Sequence, residues 1–309
     1  MIDNLREDIW RYFNFLEKVA PENRLSSERN NFTPVEKMGD WSAKREDKSA
    51  VGSHKFRALE FQISRLVDAG IERAVLSSSG NAAIAASRIL PAESKLKLFI
   101  FLSEKTPVAK LTALDFSKNC VFVLSDRPLR MAKYAAKHFK ISDLRPSVDP
   151  NAVVGFRSLG FEIFEQNPRV ANIFSFATSG ASARGIAEAF EILVKSGDRK
   201  SAPKIFAVGS SGKLAGNLSG PASKNLSEKI ERVEISDAEI LATRRKFPKL
   251  ATSAEGLASL AAAEKLNPAG ESLVILTGRN WAKNGEVDFS QFARANNFAE
   301  VDKIFAEND

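Results

Sequence analysis

Lys55 stands in the stretch Gly52-Ser53-His54-Lys55-Phe56-Arg57-Ala58, and Ser77-Ser78-Ser79-Gly80-Asn81 follows it down the chain. A lysine at the start of a helix can be positioned and partly desolvated, which makes its amine a usable nucleophile and lets it hold an aldehyde cofactor as a Schiff base. The Asn81 amide offers a hydrogen bond to a phenolic oxygen of such a cofactor. The short turn of Ser77, Ser78, Ser79 and Gly80 offers hydroxyl and N–H donors to a carboxylate. Taken singly, a lysine in a first helical turn reads as a solvated surface residue, and a Ser/Gly/Asn cluster reads as an ordinary turn.

The elements around these residues must place them. Leu59, Phe61 to Ile63 and Leu66-Val67 recur at near-helical spacing and stop at Gly70, so a helix capped by glycine is expected after Lys55. Arg73 to Ser77 reads as a short buried strand and Asn81 to Ser87 as an alanine-rich helix start, which puts the turn at a strand's C-terminal end, where parallel α/β sheets bind ligands. Apolar runs continue at 96–102, 121–124, 172–177, 204–208 and 272–276, most of them followed by helical patterning. That alternation predicts an α/β chain with mainly parallel sheet covered by helices on both faces. Ser236 and Glu239 have capping-box spacing, and residues 143–149, with Pro146, suit a crossover between domains.

A phosphate monoester needs converging donors, most simply the unpaired N–H groups of a helix N-terminus reached through small residues. The stretch 173–190 has that layout, with Thr178, Ser179, Gly180, Ala181 and Ser182 between an apolar run and a helical pattern. By itself it reads as a βα turn. Thr277 ends the last apolar run before Gly278 and places a hydroxyl at a strand's C-terminal end.

Residues 44–58 together with Ser78-Ser79-Gly80-Asn81 resemble the "K-x-E-x-x-N-P-T-G-S-F-K-D-R-G" and "S-S-G-N" blocks of fold-type II pyridoxal phosphate enzymes, the superfamily of threonine synthase, serine/threonine dehydratase, cysteine synthase and the tryptophan synthase β chain. Residues 173–190 resemble its phosphate-binding block, with Gly180 and Gly185 kept and Thr178, Ala181 and Ser182 where other members often carry glycine or another small residue. The resemblance runs from about Asn31 to Thr277. It implies two open, mainly parallel sheets with helices on both faces and the cofactor between domains, a smaller one over 40–149 and a larger one over 1–39 plus 150–309. It also implies pyridoxal 5′-phosphate on Lys55, Asn81 beside its phenolic oxygen, the 178–182 loop on its phosphate, and Thr277 at its pyridine nitrogen. The turn from Ser77 to Asn81 would take the carboxylate of a small amino acid substrate. A neutral hydroxyl at the pyridine nitrogen favours elimination and replacement over transamination. Residues 155–163 resemble the "G-x-K-T-x-x-x-E-I" segment of threonine synthases, so conversion of O-phosphohomoserine and water to threonine and phosphate is expected. Serine/threonine dehydratase or cysteine synthase-like chemistry is the alternative. A degenerate member acting as a binding or scaffold protein is the contrasting reading, because left-handed backbone is costly for the alanine and serine that replace loop glycines.

Composition narrows the remaining classes. The chain has 309 residues, 44% hydrophobic, enough for a substantial core or two. Its one cysteine, Cys120, forms no internal disulfide, and two histidines, His54 and His138, make no structural metal cluster, which suits a reducing cytoplasm. The N-terminus mixes acids into its apolar residues and no run has membrane-spanning length, so neither export nor a membrane is expected. The net charge of +7 is dispersed among acids rather than gathered into a block; solubility accounts for it better than nucleic acid does. A homodimer is compatible with the resemblance.

Overall fold

The computed structural model describes residues 2–28, 31–210, 230–281 and 286–308. In chain order these residues form β1 (Val35–Met38), β2 (Trp41–Lys44), α1 (Lys55–Asp68), β3 (Arg73–Ser78), α2 (Asn81–Ile89), β4 (Lys97–Ser103), α3 (Val108–Leu111), β5 (Cys120–Ser125), α4 (Pro128–His138) and β6 (Ser142–Asp143). There follow α5 (Asn151–Gln166), β7 (Asn172–Phe176), α6 (Ala181–Lys195), β8 (Lys204–Ser210), β9 (Ile230–Ile235), α7 (Asp237–Lys246), α8 (Ala254–Leu266), β10 (Ser272–Ile275), β11 (Ala293–Arg294) and α9 (Phe298–Ala306). Two compact units share them. The larger takes Met1–Lys18, Arg29–Ala58 and Pro146–Asn280; the smaller takes Val19–Glu28, Leu59–Arg145 and Trp281–Asp309.

Among the described residues the larger unit holds a six-stranded sheet in the order β1-β2-β10-β7-β8-β9. β1 and β2 form an antiparallel hairpin around Gly39-Asp40, with Gly39 at a φ of 61°, and every other pairing in the sheet is parallel. Parallel neighbours cannot be joined by a tight turn, so helices cross between them and cover both faces. One face buries Ile173, Ile205, Leu273 and Ile275 with Leu159, Ile163, Ile186 and Phe190 of α5 and α6. The other buries Phe174, Phe206 and Val274 with Leu260 and Ala262 of α8. Phe174 and Phe206 stack at 4.4 Å between centroids across adjacent strands. The expected capping box starts α7: the Glu239 N–H donates to Ser236 Oγ at 3.2 Å and the Ser236 N–H to Glu239 Oε2 at 2.7 Å.

The smaller unit holds a five-stranded parallel sheet in the order β11-β5-β4-β3-β6. Its central strand β4 is an unbroken apolar run, Leu98 to Leu102, all fully buried, as a strand covered on both faces should be. α4 and α9 pack on one face, where Phe305 stacks on Phe99 at 3.8 Å and on Phe139 at 4.2 Å. The helix after Lys55 ends as its glycine predicts. Gly70 is left-handed (φ 65°), its N–H reaches Val67 O, and the Ile71 N–H reaches Leu66 O, the paired bonds of a Schellman cap. Among the described residues no helix is long and apolar enough to cross a membrane.

Candidate active site

The larger unit presents Lys55 as the first residue of α1, half-buried, on a turn tied to the end of β10. Ser53 bridges to Gly278, the Arg279 N–H donates to Gly52 O at 2.8 Å, and the His54 N–H donates to Thr277 O at 3.0 Å. The same carbonyl accepts from His54 Nδ1 at 2.8 Å; a carbonyl only accepts, so Nδ1 carries the proton. Burial, helped by the Lys55 charge, pushes the His54 imidazole down to about 3, so it is neutral at physiological pH. Burial also lowers the Lys55 ammonium, with the Glu255 carboxylate opposing the shift. Thr277, 4% exposed, is thereby held to the turn that carries Lys55.

α5 is the platform that fixes this turn against the 178–182 loop. A Cβ added at Gly155 would lie 2.4 Å from Arg57 O on the α1 side, and one added at Gly185 would lie 2.5 Å from Phe156 Cβ on the α6 side. Both helix starts therefore approach α5 to backbone contact, and Ala58, Ala152, Val153, Phe156 and Ala181 form one small buried cluster. Gly180 is the N-cap of α6 in the left-handed region (φ 79°) and has no side chain to cap that end, while the Ala181 N–H donates to Ser179 Oγ at 3.4 Å. Ala181 and Ser182 lie within the helix. The one left-handed position in the loop is thus occupied by glycine, and the replacement of other loop glycines carries no backbone cost.

Behind the turn sits a buried ion network that sequence inspection does not single out. Arg57 donates to Glu46 through Nε and Nη2, both at 2.8 Å, and to Glu162 through Nη1 at 2.9 Å. Lys44 Nζ donates to Glu162, to Thr33 O and to Gln166 Oε1. All four charged side chains are at most 2% exposed. Burial works against the charge on Glu162, Arg57 and Lys44, yet Arg57 and Lys44 hold the Glu162 carboxyl down to about 2, and the two carboxylates keep Arg57 charged. Burial pulls the Lys44 ammonium downward, but its three acceptors match the three N–H donors of the charged form. The Lys-x-Glu spacing at 44–46 and Arg57 on the lysine helix were the available signal, but Glu162 lies more than a hundred residues away. Gly155 and Glu162, the glycine and the glutamate of the segment that resembles threonine synthases, have structural work of their own in this packing and this network.

The smaller unit carries the turn from Ser77 to Asn81 between β3 and α2. Ser78 Oγ accepts from the Gly80 N–H at 3.0 Å and the Ala83 N–H at 3.1 Å, which makes it the hydroxyl that shapes the turn. Ser77 is half-buried and Ser79 exposed. Gly80 has φ 121°, and a Cβ there would lie 2.4 Å from Lys110 Cδ. Lys110 Nζ reaches Ser79 O at 3.5 Å. Asn81 opens α2, and its Oδ1 accepts the indole N–H of Trp281 at 3.2 Å. Lys110 and Trp281 carry no motif, and sequence patterning does not mark either.

The family model of pyridoxal-phosphate dependent enzymes matches residues 29–278. The chain belongs to that family and is a pyridoxal phosphate-dependent enzyme. None of the curated proteins matches the chain by sequence. Among solved structures it is similar to a pyridoxal 5′-phosphate-dependent aspartate racemase (20% identity, TM-score 0.67, covering 84% of this chain and 91% of that one). An O-acetylserine dependent cystathionine beta-synthase from Helicobacter pylori is 18% identical at TM-score 0.67, over 82% and 95% of the two chains. The processed form of threonine deaminase isoform 2 from Solanum lycopersicum is 16% identical at TM-score 0.65, over 92% and 91%. At these identities the likeness defines the fold, two mainly parallel sheets with helices on both sides. Residues of this chain suit the cofactor: a half-buried lysine at a helix start, an α6 N-terminus whose N-cap Gly180 supplies no side-chain cap, and a buried hydroxyl at the end of β10.

Proposed function

We propose that the chain catalyses elimination and replacement at the side chain of an amino acid, of the threonine synthase type, converting O-phosphohomoserine and water to threonine and phosphate. The observation that carries the reaction type is Thr277, a neutral hydroxyl rather than a carboxylate, held through its backbone carbonyl by His54. When bound, pyridoxal phosphate supplies an electron sink for charge developing at the substrate Cα, and a neutral partner at its nitrogen moderates that sink. Lys55 would hold the cofactor and would move protons at Cα and beyond; burial lowers its ammonium, so more of the side chain is in the neutral amine form that can accept a proton. The N–H groups at the start of α6, with Thr178, Ser179 and Ser182, hold the phosphate around Gly180 and Ala181. The turn from Ser77 through Ser79 and Gly80 to Asn81 takes the substrate carboxylate, and Asn81 also donates to the phenolic oxygen.

The lean toward threonine synthase comes from residues 155–163. Dehydratase or cysteine synthase-like chemistry is the second reading, favoured by solved neighbours named as a threonine deaminase and an O-acetylserine dependent cystathionine beta-synthase. The scaffold alternative loses its motive, since the phosphate loop needs a single left-handed residue and has Gly180 there. The test is to offer the cofactor-loaded protein O-phosphohomoserine, serine, threonine, and O-acetylserine plus sulfide in turn. Phosphate and threonine appearing together are expected. Oxo acid from serine or threonine alone would replace the assignment with a dehydratase, and cysteine would replace it with a sulfhydrylase. Borohydride should fix the cofactor to Lys55, and Lys55→Ala should abolish turnover; an adduct elsewhere removes Lys55 from its role.

A further inference from the structure

Asn81 reaches its proposed partner, the phenolic oxygen, with one end of its amide, and nothing in an isolated asparagine chooses between its two ends. The amide Nδ2 offers two donors and Oδ1 only accepts. The indole N–H of Trp281 is a donor with no acceptor capacity, and it lies 3.2 Å from Asn81 Oδ1. With Oδ1 engaged, a rotation of the amide would set the indole N–H against the NH2 group and lose the bond. Both residues belong to the smaller unit.

We propose that Trp281 is a positioning residue that sets the orientation of the Asn81 amide, so that its NH2 donors are the groups offered to the cofactor's phenolic oxygen. The inference rests on the role given to Asn81 above. An NH2 group at that oxygen stabilises its deprotonated form, whereas a flipped amide would present a carbonyl oxygen and repel it. Trp281 therefore tunes both how tightly the cofactor is held and the pH at which the bound cofactor changes its visible absorbance.

The experiment is a double-mutant cycle on the full chain, stripped of and reloaded with pyridoxal phosphate, using Trp281→Phe, Asn81→Ala and the pair. Phenylalanine keeps an aromatic ring at the site and removes the N–H together with part of the indole's bulk. Two quantities are read: the cofactor dissociation constant and the pH midpoint of the visible absorbance. Trp281→Phe is expected to weaken cofactor binding by about 2- to 13-fold, the range that one net hydrogen bond gives, and to move the midpoint. Asn81→Ala is expected to do at least as much. Added to Asn81→Ala, the tryptophan change should do nothing further, because no amide remains to be oriented. A cost of Trp281→Phe that is the same in both backgrounds would show a purely structural role and overturn the inference. An effect of Asn81→Ala without any of Trp281→Phe would overturn it while leaving Asn81 its role, and no effect of Asn81→Ala would overturn both.

Discussion

Glu162→Ala probes whether the turn that carries Lys55 is held by buried charge. Lys44 and Arg57 face Glu46 and Glu162 in a network that is balanced, two cations against two anions, with every member at most 2% exposed. Removing Glu162 leaves two buried cations on one carboxylate and strands the Thr33 N–H, which donates to Glu162 Oε1 at 3.0 Å, along with one donor each on Lys44 and Arg57. Breaking a buried pair by deleting one partner costs about 3–5 kcal/mol, about a fifth or more of the roughly 5–15 kcal/mol stability of an ordinary domain. Urea unfolding measures it. A Trp281→Phe background leaves Trp10 and Trp41, both in the larger unit, as the indole reporters among the three tryptophans of the chain. Glu231→Ala, which breaks the exposed pair with Lys204, is the control and should cost under about 1 kcal/mol. The acid limb gives a second reading. An unfolded Glu162 takes up its proton near 4.5 and the folded one only near 2, so the unfolded state binds more protons in that window and stability falls as pH falls through it. Glu162→Gln should lack that slope. A loss in Glu162→Ala no larger than the control would mean that the charges are not desolvated, and the account of the turn would fail.

Gly180→Asp adds bulk and negative charge at the α6 N-terminus and should weaken cofactor binding far more than aspartate placed on an exposed helix face, read by cofactor titration. Gly185→Ala forces a methyl to 2.5 Å from Phe156 Cβ and should destabilise the larger unit by about 1–3 kcal/mol, seen as an earlier urea midpoint. His54 stays neutral when folded down to about 3 but protonates near 6.5 when unfolded, so the wild type should lose stability as pH falls across that range; His54→Phe should remove this part of the pH dependence in urea titrations at a series of pH values.

The strands and several helix ends were legible because their causes are local. A parallel strand buried on both faces is a continuous apolar run, as at Leu98 to Leu102. A helix closing on left-handed glycine shows that glycine, as at Gly70, and a capping box shows its serine and glutamate three apart. The placement of Lys55 at a helix start, of the Ser/Gly/Asn turn before α2 and of Gly180 before α6 was legible for the same reason, since each is a short local pattern. Other features depend on which distant segments meet. The hairpin of β1 and β2 joins the large sheet only through its pairing with β10, and the last helix reaches the small sheet only because Phe305 finds Phe99 and Phe139. Lys44, Glu46, Arg57 and Glu162 look in sequence like members of a dispersed, solvated charge pattern. They are instead buried, and their burial is tolerable only because partners more than a hundred residues apart satisfy one another. Trp281 and Asn81, two hundred positions apart, meet through one hydrogen bond. Sequence by itself determined the elements and the kinds of chemistry they could hold; which charges are desolvated and which end of an amide is presented are set by contacts between remote residues, and those exist only once the chain has folded.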